Sequence, residues 1–158
     1  MKIIREKKHR LVDQIYIGER PISFTLCIKD RKQYFTNNSS FRIFEQILLN
    51  ELKSFDCFAF IYLFIPDHVH LVLGGNNSNS NVKKCLEMFK QKSGYYLSKN
   101  SKNIHWQKDY YDHILRIEEN LEIHLKYILN NPVRASITDY WKEYPYKGSS
   151  IYNLIEWD

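Results

Sequence analysis

Residues 57–65 read Cys-Phe-Ala-Phe-Ile-Tyr-Leu-Phe-Ile, nine apolar positions without a break, closed by Pro66-Asp67. A bilayer-spanning helix needs about 20 such residues, so the run is expected as a buried strand and not as a membrane segment. His68–Leu73 (His-Val-His-Leu-Val-Leu) follows at once, alternates like a strand and ends at Gly74-Gly75-Asn76-Asn77. Upstream, Ile22, Phe24, Leu26 and Ile28 alternate with Ser23, Thr25 and Cys27, the period of a half-buried strand.

Helical patterns separate these strands. Phe41, Phe44, Leu48 and Leu52 recur at helical spacing, with Ser39 or Ser40 as N-cap. Val82, Cys85, Leu86 and Phe89 stripe a second helix from Val82 to about Lys99. A short strand is expected around Tyr111–Arg116. A helix then runs from Glu118 to about Asn131, its N-terminus complemented by Glu118 and Glu119 and its end set by Pro132. The order strand, helix, strand, strand, helix, strand, plus a helix, predicts an α+β chain: a ferredoxin-like split βαβ sandwich. Its sheet is antiparallel, both crossover helices cover one face, and the extra helix is C-terminal. Asn76–Asn81 reads as a loop, and no linker or repeat divides the chain. One domain is expected over residues 1–158, with a core of about 15–135 and a tail of 136–158.

The formal charge is +5 over 158 residues, and its placement matters more than its size. Residues 1–10 carry five cations against one acid, and residues 83–102 carry six lysines against Glu87, so the remainder is mildly acidic. Two basic patches on such a body, with 12 tyrosines, suit a polyanion such as single-stranded nucleic acid. Lys7, Lys8, Arg10, Lys83, Lys84, Lys90 and Lys92 are the candidate backbone contacts, although such lysines also form ordinary solvated surfaces. Cys27, Cys57 and Cys85 are odd in number and embedded in apolar runs, which fits reduced thiols in a cytoplasmic protein. The charged N-terminus shows no secretory signal.

His68-Val69-His70 is the sharpest local signal. Residues i and i+2 of a strand project from one face, so both imidazoles point the same way and make a natural metal pair. Two strand histidines satisfied by polar neighbours would leave the same pattern. On the last helix Leu121, Leu125 and Ile128 form the core stripe, and Asn120, His124, Tyr127 and Asn131 lie on a separate stripe. Tyr127 and Asn131 are one turn apart. An Asn carbonyl can complete a His-His-oxygen set, with the tyrosine hydroxyl close to it.

The chain resembles the HUH-type single-tyrosine transposases, in which an H-U-H strand (U apolar) is followed by a helix bearing a tyrosine with an amide four residues on. Pro66–Leu71, Trp106–Arg116, Glu118–Leu121, Tyr127–Ala135 and Tyr144–Ser150 are similar to segments of the REP-associated tyrosine transposase branch, over about residues 15–150. Two departures are Asp67, where Asn is common, and Ser136-Ile137, where Gly-Leu is frequent. The resemblance implies Tyr127 as nucleophile and His68, His70 and Asn131 as ligands of Mg²⁺ or Mn²⁺. It also implies a DNA strand transferase acting on hairpin-flanked or REP-like single-stranded DNA through a 5′-phosphotyrosine, in a prokaryotic cytoplasm, as monomer or homodimer. Asp67, His113 and His124 are candidates for hydrogen bonding behind the ligands or for handling the phenolic proton. Three rival readings are a replication or conjugation initiator of the same chemistry, a protein that binds hairpins without cutting, and a metal hydrolase using His68, His70 and Asp67.

Overall fold

The computed structural model describes residues 13–116 and 118–158. Its elements are β1 (Ile22–Cys27), α1 (Asn38–Ser54), β2 (Cys57–Ile65), β3 (His68–Gly75), α2 (Val82–Asn100) and β4 (Tyr111–Ile114). They continue with α3 (Leu121–Leu129), α4 (Asn131–Arg134) and β5 (Lys147–Gly148). All strand pairs are antiparallel, in the order β4-β1-β3-β2-β5. The first four strands have the expected ferredoxin-like order. β5, from the C-terminal tail, pairs with the outer edge of β2 and covers part of it. Among the described residues no helix is long and apolar enough to cross a membrane.

Side-chain parity sorts the sheet into two faces. Ile22, Phe24 and Leu26 of β1 stand opposite Leu73, Leu71 and Val69 of β3, and all six belong to the core shared with Phe41, Phe44 and Leu48 of α1 and Cys85, Leu86 and Phe89 of α2. On the other face Ile61, Leu63 and Ile65 of β2 and Val72 of β3 pack with Leu125, Ile128 and Leu129 of α3 and with Trp141 and Tyr144. The crossover helices and α3 therefore take opposite sides of the sheet. β2 serves both, which is why its sequence shows no alternation. A bulge between Ala59 and Ile61 resets its parity: Cys57 and Ala59 face the crossover helices before it, Tyr62 and Phe64 after it.

Several boundaries differ from the sequence expectation. The whole of β1 is buried, not half of it; Ser23 and Thr25 lie on the face opposite the first core and line a cleft there. The cap of α1 is Asn37, whose side chain accepts from Ser40 N, so the two serines lie inside the first turn. β3 runs on through Gly74 and Gly75, which stay paired with Phe58 and Cys57. A Cβ on Gly75 would lie 2.3 Å from the backbone oxygen of Gly18, so the glycine admits a close backbone approach. β4 stops at Ile114, not Arg116.

The last helix also starts later than expected, at Leu121 behind the Asn120 cap. Pro132 does not end it. The chain turns at Asn130 and enters α4, where Pro132 sits in the first turn and its missing N–H costs nothing.

Candidate functional site

His68 and His70 project from β3 toward α3, because Val69 and Leu71 between and beyond them face the other core. Their Nε2 atoms are 3.2 Å apart. His68 Nδ1 lies 2.7 Å from Asp67 Oδ1. An ionised carboxylate only accepts, so His68 donates its Nδ1–H there and turns its Nε2 toward His70. Burial pushes the Asp67 carboxyl up, but hydrogen bonds and charge from His68 and Arg31 outweigh it and hold the pKa at about 2. Arg31 Nε donates to Asp67 Oδ2 at 3.0 Å. His70 Nδ1 is in hydrogen-bonding contact with Thr25 Oγ1 at 3.1 Å, its cross-strand neighbour on β1.

Asn131, at the start of α4, brings its amide nitrogen to 3.2 Å from His70 Nε2; a half-turn of the amide would bring the oxygen there instead. Tyr127 lies one turn earlier on α3, where burial of Leu125, Ile128 and Leu129 leaves it 48% exposed. The guanidinium carbon of Arg134 sits 3.8 Å from the centre of the Tyr127 ring.

These groups line one open cleft of about 1230 Å³. Asp67, His68, His70, His113, His124, Tyr127 and Asn131, seven of the residues singled out in the sequence, all reach it. His113 on β4 is 2.9 Å from Glu119 Oε2, and that bond, followed by one from the Arg116 amide, lowers the Glu119 pKa. Glu119 thus ties the loop before α3 to the sheet and does not occupy the first turn of the helix.

The basic helix is elsewhere. Because Val82, Cys85, Leu86 and Phe89 dock α2 on the opposite face, Lys83, Lys84, Lys90 and Lys92 do not line the cleft. Lys83 pairs with Asp13 at 3.0 Å, Lys92 pairs with Glu51, and Lys90 bonds the Lys108 carbonyl. Lys7, Lys8 and Arg10 lie outside the described residues. Arg31, Thr25 and Arg134 are cleft residues to which the sequence pattern assigns no role. Arg134 follows Tyr127 by seven positions, a helical spacing that could have pointed to it.

The donor set fits a divalent ion. Two ligand atoms about 2.1 Å from one ion, at octahedral to tetrahedral angles, lie about 3.0–3.4 Å apart. The 3.2 Å separations of His68 Nε2 and of the Asn131 amide from His70 Nε2 fall in that range. Among the described residues no group of three or more His, Cys, Asp or Glu is arranged to hold an ion, so an ion on the histidine pair would take a third donor of another kind, such as the Asn131 amide.

A candidate REP-associated tyrosine transposase of Haemophilus influenzae is 27% identical over 137 residues, covering 78% of this chain and 76% of that protein. The structure of a REP-associated tyrosine transposase bound to a REP hairpin superposes with a TM-score of 0.73 at 18% identity, over 89% of this chain and 81% of that one. A candidate transposase from Deinococcus radiodurans R1 superposes with a TM-score of 0.53, again at 18% identity, over 79% and 96% of the two chains. At that identity the likeness is one of fold. The family model described as IS200-like transposase matches residues 20–131, more than two thirds of the chain, from β1 through the histidine pair and Tyr127 to Asn131. The chain belongs to the IS200-like transposase family.

Proposed function

We propose that this protein is a metal-dependent strand transferase for single-stranded DNA, of the REP-associated tyrosine branch, with Tyr127 as nucleophile. The observation that carries this reading is the convergence of His68, His70 and Asn131 in the same cleft as a half-exposed tyrosine. The solved relative bound to a REP hairpin supports hairpin DNA as the partner.

In this reading His68 Nε2, His70 Nε2 and the Asn131 amide oxygen would hold Mg²⁺ or Mn²⁺, which would supply charge neutralisation at the scissile phosphate. Tyr127 Oη attacks phosphorus: the Oη–P bond forms, the P–O3′ bond breaks, and a 3′-hydroxyl is released opposite a 5′-phosphotyrosine. His124, one turn before Tyr127 on the same wall, takes the phenolic proton and returns one to the departing O3′. A 3′-hydroxyl from another strand reverses the step and regenerates the tyrosine, so rejoining needs no external energy source. Asp67 and Thr25 fix the two ring orientations throughout.

The test is incubation with hairpin-bearing single-stranded oligonucleotides and Mn²⁺, followed by a denaturing gel. A covalent protein–DNA adduct is expected from the wild type and is absent from Tyr127→Phe and His68→Ala. Cleavage that survives Tyr127→Phe overturns the nucleophile assignment.

A further inference from the structure

Among the described residues the lining of the cleft contains one carboxylate, Asp67, and two guanidinium groups, Arg31 and Arg134. Asp67 is already engaged by His68 and by Arg31 Nε. That bond uses one donor of Arg31 and leaves both Nη groups for a ligand. The backbone reaches this position through two successive left-handed residues, Asp30 at φ 61° and Arg31 at φ 54°. Neither is glycine, so the turn holds Arg31 over the site against local preference. At the other end, Arg134 lies face-on against Tyr127, and among the described residues no carboxylate is within ion-pair distance of it. A stacked guanidinium keeps its donors at its rim, where they suit the paired oxygens of a phosphate. One arginine is thus tied to the His68 end of the donor set, through Asp67. The other is on α4, the element that carries Asn131.

We infer that Arg31 and Arg134 are the phosphodiester contacts of the cleft, gripping single-stranded DNA on either side of the histidine pair in place of the lysines of α2. The transferase reading supplies only the identity of the anion. The two arginines select a flexible, phosphate-bearing strand by charge and leave the bases unread. Both side chains are at the surface, so Gln variants keep the fold, which circular dichroism verifies.

The probe is fluorescent oligodeoxythymidylate, titrated by anisotropy in EDTA over a series of salt concentrations. For a single strand, every phosphate that a variant no longer neutralises reduces the slope of log affinity against log salt by about 0.7. Arg134→Gln and Arg31→Gln are each expected to show that reduction, and Lys53→Gln, on α1 across the sheet, to keep the wild-type slope. An unchanged slope in both arginine variants, an equal reduction in Lys53→Gln, or no binding by the wild type overturns the inference. Because the measurement needs no cleavage, a wild type that binds with these slopes yet forms no adduct disproves the transferase reading and leaves the arginine contacts standing.

Discussion

The Nε2 atoms of His68 and His70 face each other at 3.2 Å, and the Nδ1 atom of each ring is tied down, one by Asp67 and one by Thr25. With Nδ1 occupied, each ring turns its Nε2 toward the same small volume, an arrangement that a shared cation would bridge. Isothermal titration with Mn²⁺ is expected to show one site in the wild type, and none in His68→Ala or His70→Ala. Asp67→Ala keeps both imidazoles but frees the His68 ring, and an affinity about 10–100-fold weaker is expected. Wild-type affinity in Asp67→Ala would remove the carboxylate from any orienting role.

Asn131 can be separated from the histidines by its charge. Replacing the amide with a carboxylate adds a negative donor at the same reach, 3.2 Å from His70 Nε2. Asn131→Asp should bind Mn²⁺ about tenfold more tightly than wild type, since charge count tunes such sites, and Asn131→Ala more weakly. The same titration checks both, and equal affinity in Asn131→Ala would show that this side chain is not a ligand.

The local signals that survive in the sequence are those with a fixed period. Strand parity alone puts His68 and His70 on one face, and helical spacing alone puts His124, Tyr127 and Asn131 on one wall. What the pattern does not carry is which side of the sheet each helix takes. The apolar stripe of α2 says that its lysines point outward, but not that outward means away from the histidines, as the shared core with Val69 and Leu71 shows. The bulge at Phe60 and the left-handed turn at Asp30–Arg31 have no period at all, so only the backbone reveals Arg31 as a cleft residue. Asn37 competes with Ser39 and Ser40 for the cap of α1 because both residue types cap well, and only the backbone chooses.

A buried polar relay holds α2 to the loop after it. Trp106 Nε1 donates to Ser93 Oγ at 2.9 Å, and the Ser93 hydroxyl donates to the Phe89 carbonyl at 2.6 Å, in a site where Ser93 has no exposure. Ser93→Ala leaves the indole N–H without its acceptor among Phe35, Phe44 and Phe89. The expected cost is about 1–3 kcal/mol, a drop in Tm of roughly 3–9 °C for a chain of this size. Thermal unfolding of the single variants and of Ser93→Ala/Trp106→Phe measures the coupling, and additivity within experimental error would mean that the bond contributes nothing.

Alkaline pH tests the other buried hydroxyls. The Tyr62 hydroxyl donates to Glu45 Oε2 at 2.6 Å; burial first, then that hydrogen bond and the Glu45 charge, push its pKa well above the usual tyrosine value. Burial, with Tyr146 adding to it, does the same for Tyr144, whose hydroxyl donates to the Phe64 carbonyl. In the unfolded chain both titrate near about 10. Their contribution is therefore fully present below about pH 10 and is lost as pH rises, because the unfolded chain releases protons that the folded chain retains. As pH rises past about 9.5 each tyrosine should steepen the fall in Tm, adding at most about 1.4 kcal/mol per pH unit to the loss. Tyr62→Phe removes one of these two terms and leaves Glu45 its contact with Arg42 at 2.7 Å, so its Tm should fall less steeply over the same range. Parallel curves for the variant and the wild type would mean that Tyr62 ionises as readily in the folded protein as in the unfolded chain, and that its bond to Glu45 does not hold the proton.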